Sequence, residues 1–130
     1  MTSEVVTQEN LAVIDWETNI FKFCVFEEFY VEGETIDSVF LSCSFRKVEW
    51  YWGLFSICSF IGCRFTDCTF RGSAFYGSKF VECAFVNCRF VKDNLDGDCK
   101  FEGAIAYGCS FQDVEGFDAS TSEHFQLTSA

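Results

Sequence analysis

Residues 55–90 read F-SICSF-IGCRF-TDCTF-RGSAF-YGSKF-VECAF-VNCRF. A phenylalanine closes every unit of five, at Phe55, Phe60, Phe65, Phe70, Phe75, Phe80, Phe85 and Phe90. Two residues before each stands a small residue, among them Cys58, Cys63, Cys68, Ser73, Ser78, Cys83 and Cys88. A period of five is neither the 3.6 of an α-helix nor the 2.0 of a flat strand. It marks a structural repeat, whose stacked units share one continuous core. The pattern runs outward in both directions. The large position holds Phe40, Phe45 and Trp50 before this stretch and Leu95 after it, and the small position holds Ser38, Cys43, Val48 and Gly53. All nine cysteines, including Cys24, Cys99 and Cys109 at the flanks, precede a phenylalanine by two residues.

A unit that reads small–polar–large–polar–polar resembles the pentapeptide-repeat family, with Cys and Phe in place of that family's commoner Ala and Leu. The resemblance covers about residues 38–116 in two registers, with a poorer version in 24–36. It implies an all-β fold, a right-handed quadrilateral β-helix solenoid of about 4–5 coils, ~20–24 Å long at a coil spacing of ~4.8 Å. With four units per coil, residues twenty apart stack. Phe40, Phe60 and Phe80 then form one column, and Phe45, Phe65 and Phe85 a second. Trp50, Phe70 and Phe90 form a third, and Phe55, Phe75 and Leu95 a fourth. After Leu95 the spacing slips, so a one-residue bulge or loop is expected within 93–98, with units resuming at Phe101, Ala106, Phe111 and Gly116. Solenoid ends need covering. Residues 1–23 are therefore expected to form an N-terminal cap, 24–116 the β-helix, and 117–130 a C-terminal tail or cap.

The chain has 130 residues, 18 of them Phe, with no proline and one histidine. No apolar run approaches the ~20 residues of a membrane span, and no signal peptide is visible. The expected compartment is the cytoplasm, where the cysteines stay thiols. The net charge of −11 is unevenly placed. Residues 1–40 hold nine acids against Lys22, residues 41–92 hold seven bases against three acids, and residues 93–130 hold eight acids against Lys100. The ends are acidic and the waist is basic.

Catalytic chemistry finds little support. The only histidine, His124, has no evident Ser/Asp or Cys companion, and no phosphate-cradling glycine loop is present. Spacings such as Cys58-x4-Cys63-x4-Cys68 do not match zinc sites; the cysteines read as small apolar filler. Asp93, Asp96 and Asp98 lack the calcium-loop pattern and read as a solvated bulge. No catalytic, metal or cofactor site is expected, and the chain is not expected to be an enzyme.

The outward positions carry the candidate sites. Tyr51, Trp52, Arg71, Arg89 and Lys92 combine aromatics with cations, the residue types enriched at binding hot spots, and are the expected partner-binding residues. Leu41, Ile61 and Val81 form an apolar stripe that serves either as an oligomer contact, which would make a homodimer, or as a surface under a cap. The expected function is a non-catalytic protein-binding module that occludes a partner protein, a toxin or other enzyme, in the manner of bacterial immunity and antitoxin proteins. Direct nucleic-acid binding and membrane association are not expected. The resemblance also implies an alternative, protection of DNA gyrase and related topoisomerases by a protein that mimics duplex DNA. The basic waist and short rod count against that alternative.

Overall fold

Each repeat unit makes one short strand, and each strand pairs in parallel with the equivalent unit of the next coil. The computed structural model describes residues 1–116 and the strand Gln126–Thr128. Among the described residues the long-range pairing is all parallel, with Phe60 opposite Phe40 and Phe80, and Phe65 opposite Phe45 and Phe85. The unit dictates this geometry. A phenylalanine and the small residue before it point inward, and the two residues flanking the phenylalanine point out. The residue two after the phenylalanine turns the corner with positive φ, as at Ser42, Asp67, Glu82 and Asn87. Asp and Asn tolerate that conformation readily, and Phe23, Trp52 and Ile57 are held in it at the same corner position.

The phenylalanine rings stack along each column. Successive centroids in Phe21–Phe40–Phe60–Phe80 lie 5.0, 4.7 and 4.8 Å apart. In Phe26–Phe45–Phe65–Phe85–Phe111 they lie 4.7, 4.8, 4.7 and 5.1 Å apart. Neighbouring columns meet edge to face, as Phe60 meets Phe65 at 5.5 Å and 63°, an arrangement that suits the ring quadrupoles. The outcome is the all-β parallel solenoid that the repeat implies.

The fourth column departs from expectation. Phe75 is covered by Phe101, stacked at 5.3 Å and 4°, while Leu95 is 78% exposed. Ala106 then pairs with Phe80 and Phe111 with Phe85. Residues 93–98 are therefore a six-residue insertion and not a one-residue bulge: removing them joins Val91-Lys92 to Cys99-Lys100-Phe101 as one regular unit. The hydrogen bonds keep the same register. Cys88 Sγ donates to carbonyls two and 23 residues back, whereas Cys99 Sγ donates to those eight and 29 back. The physical reason is Asp93. Were Leu95 a rung, this carboxylate would occupy the buried small position, where an unpaired charge is costly.

The N-terminal segment takes part in the pairing. Val5–Val6 pairs with Val25–Phe26, Ile20–Lys22 pairs with Val39–Leu41, and Trp16 is buried against Phe21, Phe26, Phe29 and Trp50. At the other end Gln126–Thr128 pairs with Ile105–Tyr107. The rest of the 117–130 tail, with His124, lies outside the described residues.

Candidate functional site

The inserted loop lies over the third face, whose columns set two outward rows side by side. One row runs Tyr30, Glu49, Thr69, Arg89, and the other runs Glu32, Tyr51, Arg71, Val91. Trp52 follows at the corner with φ 56°, and its ring lies 4.5 Å from that of Tyr51 at 77°. Holding a bulky side chain in this left-handed conformation costs about 1–2 kcal/mol. The corner geometry swings the indole out beneath the loop.

Asp93 organises the loop. Its Oδ1 accepts hydrogen bonds from the backbone N–H groups of Leu95 (2.8 Å) and Gly97 (2.7 Å), and its Oδ2 accepts from the Trp52 indole N–H (2.8 Å). The Gly97 N–H first, then the Trp52 and Leu95 donors, hold this carboxyl below the usual aspartate range. The Tyr51 hydroxyl accepts from the Asn94 N–H at 2.9 Å and donates to Asn94 Oδ1 at 2.5 Å. Arg71 Nη1 donates to the Lys92 carbonyl at 3.2 Å, and Lys92 Nζ lies 3.1 Å from Asp96. Gly72, at φ +58°, makes room for this closure, because a Cβ there would lie 2.7 Å from Asp93 Cβ.

Of the five residues expected to bind a partner, Tyr51, Trp52, Arg71 and Lys92 therefore converge on the loop. Arg89 stands on the other row and pairs with Glu115 at 3.1 Å. Leu41, Ile61 and Val81 are neighbours on the first face, and the row continues to Tyr107. Leu95 and Asp93 were not anticipated as site residues. Their signal in the sequence is the Asp-Asn-Leu-Asp-Gly-Asp composition and the acid at a small-residue position.

The thiols are free, and their surroundings are structural. Cys63 Sγ donates to the carbonyls of Phe40 (3.3 Å) and Ile61 (3.7 Å), and Cys43, Cys68, Cys83 and Cys88 repeat the pattern. Burial pushes the Cys58 thiol up to about 12 and the Cys99 thiol up to about 11. Among the described residues no group of three or more His, Cys, Asp or Glu is placed to hold a metal ion. No helix among them is long and apolar enough to cross a membrane.

A family model described as pentapeptide repeats (9 copies) matches residues 55–105. Residues 55–105 are pentapeptide repeats. The match spans the insertion, so the family's repeats continue on both sides of the loop. No curated protein sequence matches the chain. Among solved structures it is similar to trypsin-treated QnrB1, a plasmid-mediated fluoroquinolone resistance protein, with a TM-score of 0.36 and 9% identity over 85% of this chain. The chain spans 62% of the length of that structure.

Proposed function

We propose that this protein works by binding another protein and not by catalysis, and that the loop Asp93–Asp98 with Trp52 is its contact surface. One observation carries the reading: a six-residue insertion interrupts an otherwise regular repeat and presents Leu95 78% exposed. The insertion fills no rung, and ordering its backbone costs roughly 1–2 kcal/mol per residue. The clasp from Tyr51, Trp52 and Arg71 offsets part of that cost. It also fixes the loop before docking, which lowers the entropy lost on association. Trp52 at the loop's base and Leu95 at its tip provide an apolar centre. Lys92, Asp96 and Asp98 surround it with the polar rim typical of interfaces. The binding takes place in the cytoplasm, consistent with nine free cysteines.

Protection of a type II topoisomerase is the finer role to test first, since it is the one attached to the family. The immunity or antitoxin role comes second, because no feature of the molecule singles it out. Purified protein is added to a supercoiling reaction poisoned with a quinolone. The wild type restores supercoiling and a variant lacking residues 93–98 does not. Silence of the wild type at high micromolar concentration removes the topoisomerase role. For the broader reading, a photo-crosslinker is placed at position 95 and, as control, at Thr66 on the second face. Adducts specific to position 95 in the native host support it, and equal yields from both positions overturn it.

A further inference from the structure

A cavity of about 260 Å³ opens at the N-terminal end of the solenoid, where Tyr30 and Glu32 of its lining neighbour Tyr51 of the loop clasp. Its deeper lining comes from Leu11, Ile14, Trp16 and Val31, and its exposed lining includes Glu32 and Glu34. We propose that this cavity receives one arginine side chain of the partner protein. The inference rests on the protein-binding reading above and adds a chemical feature of the partner.

Size, charge and shape select the occupant. The cavity is smaller than the roughly 300–1,000 Å³ of a site for a drug-sized molecule, and suits a single long side chain. Its carboxylates exclude an anion. An apolar side chain would desolvate Glu32 and Glu34 without compensation. Neither carboxylate makes an ion pair among the described residues. Glu32 and Glu49 both act on Tyr30 at the cavity edge, and Arg71, two coils along the row of Glu32, is the cation on this side. An arginine lays an apolar stem along Leu11 and Val31 and a planar cation against aromatic surface. The guanidinium then meets carboxylates with charge-assisted hydrogen bonds. Trp16 is 4% exposed and lines the cavity, and Tyr30, 43% exposed, stands at its edge. Both suit cation–π contact.

The test uses the full chain and no partner. The peptide acetyl-Gly-Arg-Gly-amide is titrated while the Trp16 indole N–H and Tyr30 resonances are followed by NMR. The control peptide carries citrulline, the neutral isostere of arginine. The expected result is a saturable shift with a dissociation constant on the order of 1 mM, at least about tenfold weaker with citrulline. The double variant Glu32→Gln/Glu34→Gln, with its other resonances unmoved, weakens arginine binding by about tenfold or more. No saturable shift, equal binding of the citrulline peptide, or undiminished binding by the variant would each overturn the pocket. Because the titration contains no partner, its failure leaves the loop-mediated reading intact. Failure of the position-95 crosslinking removes that reading while the peptide result still stands as measured.

Discussion

A cysteine at the small position fills a narrow corner of the lumen and also donates its S–H to backbone carbonyls there. Ser38, Ser73 and Ser78 make the equivalent contacts with hydroxyls, to Trp16, Trp50 and Phe55. The position therefore selects small residues, Val48 and Gly53 among them, and where the residue is Cys or Ser its donor meets a carbonyl. The large position is selected by stacking. Phe65, 1% exposed between Phe45 and Phe85, should cost about 3–5 kcal/mol when changed to Ala, read from urea denaturation. Leu95→Ala should change stability by no more than about 0.5 kcal/mol. A loss of about 2–5 kcal/mol at Leu95 would mean it is a core rung after all. Asp93 gives a prediction in pH. Its folded pKa is depressed, chiefly by the Gly97 N–H and the Trp52 indole. The ionised form thus holds the loop at and above the ordinary aspartate value of about 3.9, and that contribution is lost as pH falls through the lower folded value. Lys92, Asp96 and Asp98 share the loop, and only Asp93 bonds the indole. The Trp52 indole N–H resonance should stay fixed from neutral pH to about pH 4 and move below it. Movement between about pH 5 and 7 would contradict this assignment.

The loop is separable from the element that carries it. Excising Asp93–Asp98 leaves Phe90-Val-Lys-Cys-Lys-Phe101, a unit of the ordinary length with a cysteine at the small position. The excised protein should keep its circular dichroism spectrum and its cooperative unfolding, because every stacked pair from Phe21 to Phe111 is retained. Aggregation, or loss of the β spectrum, would show that the loop supports the coil. Excision of Ala84–Arg89, six residues within the regular run, serves as the contrast and should abolish folding by shifting later columns off register. The same element shows how far the sequence could be read. Columns up to Phe90 follow from spacing alone, since each unit obeys one rule. Leu95 obeyed the spacing while its partner position, Asp93, broke the composition, and weighting spacing over composition placed every later unit one face away. The convergence of Tyr51, Trp52, Arg71 and Lys92 depends on where the chain leaves and rejoins the coil. No local pattern encodes that. The cavity near Trp16 depends on the packing of an irregular 11–16 segment, where the repeat is faint.

Charge is distributed along the whole solenoid in a way that stacking turns into geometry. Coils lie ~4.8 Å apart, so the nine acids of residues 1–40 are brought close together at one end, with Lys22 the only base among them. Arg46 reaches back from the next coil to Glu27 at 3.0 Å and Glu28 at 3.5 Å. Such exposed pairs are screened by solvent and contribute little, too little to neutralise the end. The central coils carry seven bases against three acids over residues 41–92 and feel no comparable repulsion. In a solenoid each coil contacts only its neighbours, so stability varies along the axis and a strained end opens on its own. Raising salt shortens the screening length from about 30 Å at 0.01 M to about 8 Å at 0.15 M. That should relieve repulsion at the N-terminal end first. The expected observation is in amide hydrogen exchange: Phe21 and Phe26 gain protection over this salt range, while Phe60 and Phe65 change little. Uniform protection along the axis, or a loss at the N-terminal coil, would show that its ion pairs outweigh its repulsion and that the acidic end is held in place by something other than packing on Trp16.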